Sequence, residues 1–234
     1  PNVPLLFNLI GACYKALGQL EGSAQMYKVA VRIKPDYVEA HNNLGNIFKD
    51  LNQLDDAVKS YKRAIVVKPD FAEAHNNLGN ALKDLNQLDD AVKSYKKAIV
   101  VKPDFAEAHN NLGNAFKDLN QLDDAVKSYS KAININQTFS EAYYNLGVVL
   151  KLLRQVDDAV GAYKNAIIIK PNFAEAHNNL GSCFTVLGQM IEAIGYYEKA
   201  IKIRPNFAEA HKNLGFNLLS LGKVEGAARC FEKA

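Results

Sequence analysis

The sequence predicts an all-α protein built as a solenoid of stacked helix pairs, and three observations carry that prediction. The heptapeptide Glu-Ala-His-Asn-Asn-Leu-Gly stands at residues 39–45, again at 73–79 and again at 107–113, a period of 34 residues. Self-similarity at a period of about 20 to 50 residues marks arrays in which each unit buries its apolar face against the next. Within one period, His41, Leu44, Gly45, Phe48 and Leu51 follow helical spacing, and Leu54, Ala57, Val58, Tyr61, Ala64 and Ile65 do so again. Between the two stretches lies Asn52, where other copies have Gly18, Gly188 and Gly222, and Pro69 closes the second stretch.

Each element of the repeat has a local reason. Gly or Asn between the helices is what a left-handed C-cap requires. Asp55 and Asp56 open the second helix, where carboxylates meet the positive end of its dipole, and Asp55 stands four residues before Lys59. Proline stops that helix, and Asp70 with Glu73 predicts a capping-box-like restart, as Thr138 with Glu141 does in its more usual form. Gln137 replaces the proline in one copy, which predicts a looser junction at 134–138. Gly45 and Ala64 are small enough to let helices approach to about 8–10 Å, with Tyr61 filling the space they leave.

In this register the chain reads as one array. The tail of a preceding repeat occupies 1–3, repeats follow at 4–37, 38–71, 72–105, 106–139, 140–173 and 174–207, and 208–234 is incomplete. No linker or low-complexity segment interrupts them. Residues 38–71 and 72–105 are nearly identical, consistent with recent duplication or with engineered repeats. Pro1-Asn2-Val3 matches the close of a repeat and Ala234 aligns with Ala64, so the chain is expected to be a piece of a longer protein.

The columns Leu44, Gly45, Phe48, Ala57, Tyr61, Ala64 and Pro69 recur as Leu78, Gly79, Leu82, Ala91, Tyr95, Ala98 and Pro103. This pattern resembles the tetratricopeptide repeat over essentially the whole chain, with Ser23 in the Ala57 column as a mild departure. The resemblance implies helix pairs wound into a right-handed superhelix, an α-solenoid whose first helices line a concave groove that takes an extended peptide or a helix.

The core stripe of the first helix leaves Glu39, Asn43, Asn46 and Asp50 on its opposite side, flanked by Asn42 and Lys49. The innermost column continues as Asn77, Asn111, Asn145, Asn179 and Asn213. An asparagine amide offers a donor and an acceptor, so it pairs with a peptide bond whatever side chain that residue carries. The column is similar to the asparagine ladder in the superhelical arm of O-linked N-acetylglucosamine transferases, which implies protein binding by these six residues and by Asn46, Asn80 and Asn114. A plain structural reading, in which the amides are solvated or bridge neighbouring helices, stands beside it. Where Asn and Asp give way to Val148 and Leu152, flanked by Tyr144 and continued by Val186 and Phe216, the face becomes apolar. Apolar surface of this kind marks partner sites, although contact with a neighbouring repeat explains the same residues.

Other function classes are disfavoured by composition and spacing. The 234 residues are 48% hydrophobic and 23% charged, and 28 basic against 25 acidic side chains give a net charge of +3, with no basic field for nucleic acid or anionic lipid. Cys13, Cys183 and Cys230 form neither a disulfide framework nor a zinc site, and the lack of a membrane-spanning run or secretion signal leads to an expected cytoplasmic location. His41, His75, His109, His177 and His211 share one column with Phe7 and Tyr143, which favours packing over metal ligation. The Asp55-Asp56 pair suits a helix N-terminus better than acid–base catalysis, and no phosphate loop or nucleophile motif occurs. The sequence therefore points to a non-enzymatic scaffold without cofactor or metal, whose partner is a protein or peptide. Two alternatives share these residues: a substrate-recruiting arm of a larger enzyme such as a glycosyltransferase, and a structural module that associates end to end.

Overall fold

The computed structural model describes residues 3–234, so the Pro1-Asn2 part of the expected preceding tail lies outside the described residues. Fourteen helices occur among them, and the chain divides into two compact units, the first ending at Leu119 and the second running Asn120–Ala234. The first unit contains α1 (Val3–Ala16), α2 (Leu20–Ile33), α3 (Val38–Asp50), α4 (Leu54–Val67), α5 (Ala72–Asp84), α6 (Leu88–Val101) and α7 (Ala106–Asp118). The second contains α8 (Leu122–Ile135), α9 (Ser140–Leu152), α10 (Val156–Ile169), α11 (Ala174–Val186), α12 (Met190–Ile203), α13 (Ala208–Ser220) and α14 (Val224–Phe231). In each unit consecutive helices pack as hairpins and each hairpin packs on the next, the all-α solenoid architecture the period predicts.

The turn inside a hairpin is set by one residue. Asn52, Asn86 and Asn120 adopt φ of 57°, 58° and 58°, and Gly18, Gly188 and Gly222 adopt 73°, 75° and 74°. The Asn52 N–H donates to the Lys49 carbonyl at 2.9 Å and the Gln53 N–H to Phe48 at 2.7 Å, which satisfies the last carbonyls of α3 in a Schellman motif. Arg154 holds the same left-handed conformation, with φ of 63°.

Behind the turn the hairpin closes on a tyrosine. Tyr61 and Tyr95 are fully buried, and a Cβ added to Gly45 or Gly79 would stand 2.5 Å from the facing Tyr61 or Tyr95 Cε1. Glycine is thus required there by the ring that lies on it. Ala57, Ala64, Ala91 and Ala98 are fully buried as well. The histidine column is structural in each unit: Nε2–H of His41, His75, His177 and His211 donates to the carbonyl of Pro35, Pro69, Pro171 and Pro205 at 2.8–2.9 Å, tying a first helix to the turn before it.

The expected capping boxes and the expected partner of Lys59 require correction. The N-cap residues of α5 and α9 are Phe71 and Phe139, with no side-chain cap, so neither Asp70 with Glu73 nor Thr138 with Glu141 forms a capping box. Placing the aromatic at that position sets its ring under Lys68 at 5.6 Å in the first of these, and the acidic residue moves one place out of capping reach. Lys59 pairs with Asp56 at 2.9 Å, three residues away, and Asp55 is left to the helix dipole. At the 134–138 junction the backbone keeps the geometry of its counterparts: α8 ends at Ile135 with Asn136 N–H on the Ala132 carbonyl at 2.9 Å. There the Asn136 side chain accepts from the Thr138 N–H at 3.0 Å and hydroxyl at 2.9 Å, a local turn that replaces the missing proline.

Candidate functional site

The asparagines of the first helices are held by the repeat before them. In the first unit Asn43 Nδ2 donates to Asn8 Oδ1 at 3.2 Å, Asn77 Nδ2 to Asn42 Oδ1 at 3.1 Å and to Asn46 Oδ1 at 3.3 Å, and Asn111 Nδ2 to Asn76 Oδ1 at 3.0 Å. In the second, Asn179 Nδ2 donates to the Tyr144 hydroxyl at 3.2 Å and Asn213 Nδ2 to Asn178 Oδ1 at 3.0 Å. Asn114 and Asn145 are half-buried and also engaged. The acceptors Asn42, Asn76 and Asn178 are buried, so these bonds satisfy polar groups that water does not reach well.

A second column is oriented by the core tyrosines. The Tyr61 hydroxyl donates to Asn46 Oδ1 and the Tyr95 hydroxyl to Asn80 Oδ1, each at 2.8 Å. Burial pushes both phenols far above the usual tyrosine range, so they remain donors. The two columns are therefore turned in opposite senses. Asn43, Asn77 and Asn111 spend an N–H on the neighbouring repeat, and no donor reaches their Oδ1 among the described residues; Asn46 and Asn80 spend Oδ1 and keep their N–H groups. Along the rim Lys15 pairs with Asp50 at 3.1 Å and Lys49 with Asp84 at 3.4 Å, each lysine reaching the next repeat.

In the second unit the same face changes character. Val148 occupies the Asn46 position, and Tyr163, fully buried like its counterparts, has a hydroxyl without a hydrogen-bond partner. Burial raises its pKa strongly too, against a smaller lowering by the Asn179 amide, which approaches the phenol oxygen as a donor and leaves the O–H itself without an acceptor. One repeat later Thr185 restores a partner, its hydroxyl lying 3.0 Å from that of Tyr197. Lys151 has no carboxylate to reach and donates to the Ser182 hydroxyl at 2.7 Å. The apolar residues named from the sequence separate into three settings. Tyr144 is half-buried, its ring 4.8 Å from Phe173 and 5.9 Å from Tyr163. Val148, Leu152 and Val186 share the wall of an open cavity of about 410 Å³ with Tyr163 and Asn179. Phe216 stands apart from it, edge-on to Phe231 at 5.2 Å.

Sequence reasoning overlooked the column of Asn8, Asn42, Asn76 and Asn178 as the acceptors of the ladder. The signal was present in the paired asparagines of each copy, since adjacent amides at a 34-residue period place one beside its neighbour's partner. The tyrosine-to-asparagine bond was also missed, and nothing in the sequence marks Arg154 beyond its place in the Asn or Gly column.

The comparisons with known proteins agree with the repeat architecture. The family described as TPR repeat matches residues 11–52, 45–86, 79–119 and 113–153, and the tetratricopeptide repeat is matched again at 140–173 and 174–207. Among solved structures, MamA is 30% identical, with 71% of this chain and 97% of that one covered and a TM-score of 0.65. YrrB, a TPR protein with an unusual peptide-binding site, is 22% identical over 86% of this chain and 99% of its own, with a TM-score of 0.65. A tetratricopeptide repeat protein from Parabacteroides merdae is 19% identical over 100% and 92%, with a TM-score of 0.76. No curated protein matches the chain. With its repeats matched by the family from residue 11 to residue 207, the chain belongs to the tetratricopeptide repeat family and has the architecture of a protein-interaction scaffold.

Proposed function

We propose that this chain, as a single array with the repeat boundaries given above, holds an extended segment of a partner protein on its first-helix face by reading the partner's main chain. The observation that carries this reading is the opposite setting of the two asparagine columns. One offers carbonyl oxygens and the other amide N–H groups, and a peptide bond needs one of each. The amides are already oriented by bonds to the neighbouring repeat or to a buried tyrosine, so binding does not have to order them. Stacked helices lie about 8–10 Å apart and an extended chain advances about 3.3–3.6 Å per residue, so one rung meets roughly every third ligand residue. YrrB shares this fold and is described as having a peptide-binding site, which fits a peptide as the ligand class.

A ladder of this kind is adhesive but not selective. Each rung contributes about 0.5–1.5 kcal/mol net, against roughly 2–5 kcal/mol for ordering a flexible ligand. The test removes rungs in bonded pairs, so that no buried partner is orphaned: Asn42→Ala with Asn77→Ala, and Asn76→Ala with Asn111→Ala. Peptides selected from a displayed random library on the intact chain are measured by fluorescence anisotropy on both proteins. Two rungs lost should weaken every selected peptide by about 1–3 kcal/mol, roughly five- to 150-fold, with helicity unchanged. Affinities within about two-fold of the parent on a folded variant overturn the reading.

A further inference from the structure

At the cavity between α9 and α11 several columns depart from their neighbours at once. Val148 stands for Asn46, Leu152 for Asp50, Arg154 for Asn52, and in the next repeat Val186 again replaces the aspartate. The outcome is an apolar wall that remains open, with Leu152 57% and Val186 58% exposed. Lys151 and Arg154 lie on its rim, and no carboxylate is among the lining residues. The contrast with the first unit is direct, because there Asp50 and Asp84 neutralise Lys15 and Lys49.

Two further observations point to something that completes the site. The Tyr163 O–H is buried at the floor with no acceptor, although the hydroxyls of Tyr61, Tyr95 and Tyr197 each have a partner. A buried O–H left unmade is unfavourable, and the acceptor it lacks is the amide carbonyl that Val148 displaced. Arg154 holds a left-handed backbone at the rim, where other repeats place Asn or Gly, so a long cation is kept at a position that disfavours it.

Resting on the main-chain reading above, we propose that this cavity is a side-chain subsite for an acidic segment of the bound peptide. One aliphatic residue of the ligand packs on Val148, Leu152 and Val186, and a neighbouring aspartate or glutamate pairs with Arg154 and Lys151. As Val148 turns aside, a main-chain carbonyl of the ligand accepts from the Tyr163 hydroxyl, the role that Asn46 and Asn80 play in the first unit. The subsite supplies the selectivity that the amide columns cannot.

The test uses the full chain and three fluorescein-labelled synthetic peptides of one length: Gly-Ser-Asp-Leu-Asp-Ser-Gly, its counterpart with lysine for both aspartates, and its counterpart with alanine for leucine. The first should bind about ten-fold or more tightly than either of the others. Leu152→Asp, at an exposed position that leaves the core untouched, should abolish the leucine preference. Arg154→Asn, the residue natural to this turn, should reduce the acidic preference about three- to ten-fold and flatten its salt dependence. Tyr163→Phe should weaken all three peptides, since the bond it removes is to the ligand main chain, while leaving their order of preference unchanged. Equal affinity for all three peptides, no binding up to about millimolar concentration, or preferences unchanged in Leu152→Asp and Arg154→Asn each overturn the subsite. The paired asparagine variants separate the two ideas. If they weaken all three peptides alike while the subsite variants change nothing, the subsite fails and the ladder stands. If the subsite variants act and the asparagine pairs do not, the ladder fails.

Discussion

Replacing Tyr163 by phenylalanine should stabilise the unliganded protein, against the usual direction of a core truncation. The ring is fully buried and its O–H has no acceptor. A buried donor left unsatisfied is unfavourable by about 1–3 kcal/mol. Deleting one oxygen leaves a void of about 10–15 Å³, which at roughly 24 cal/mol per Å³ returns about 0.3 kcal/mol of destabilisation. The expected balance is a gain of about 0.7–2.7 kcal/mol. Tyr95→Phe is the internal control, because it removes a 2.8 Å bond to Asn80 and should lose about 0.5–1.5 kcal/mol. Urea denaturation followed by far-ultraviolet circular dichroism reads both. Hydrogen exchange at the α10 and α6 amides localises the change, because repeats open in part as well as globally. A Tyr163→Phe protein destabilised as much as Tyr95→Phe would refute the reasoning, since it would mean that the hydroxyl is already paired.

Two glycines should respond oppositely to alanine. A Cβ at Gly79 meets the buried Tyr95 ring at 2.5 Å and should destabilise by about 1–3 kcal/mol, whereas at Gly161, in the middle of α10 with nothing within 4 Å, it should stabilise by about 0.5–1 kcal/mol in the same denaturation assay. Arg154→Asn relieves a left-handed backbone and should raise stability by about 1 kcal/mol by thermal melting; an unchanged or lower melting temperature argues that its side chain compensates in the free protein. Burial lowers the pKa of His177, with Lys199 adding to the effect. Its neutral form is therefore the folded one, so stability should hold above the ordinary histidine pKa of about 6.5 and fall as the pH drops below it. His177→Phe, the type that Phe7 represents in this column, should flatten that slope when urea midpoints at about pH 7.5 and pH 5.5 are compared.

The helix pairs were legible because the constraints that make them are periodic and local: a ring on a glycine, an amide or glycine in a left-handed turn, a proline after the second helix. The columns of Asn43, Asn46 and their copies were legible as columns for the same reason. What the sequence does not carry is which end of each amide is already used. That depends on how far the neighbouring repeat's Asn42 or Tyr61 reaches across the stack, and residue type reveals nothing of that distance. The capping boxes failed because Asp70 and Thr138 sit one residue too early once an aromatic takes the N-cap place. The Lys59 partner was misassigned between two adjacent aspartates because both lie within a turn of it, and only the side-chain geometry selects Asp56.

The bond from Asn77 to Asn42, repeated from Asn111 to Asn76, joins identical chemistry at identical separation. Excising residues 72–105 would bring Asn111 against Asn42 and recreate the same contact. Arrays with this junction can thus lengthen or shorten by whole copies without any new interface having to be invented. The Asn179 to Tyr144 junction lacks that freedom, because its acceptor is a phenol that no other copy offers.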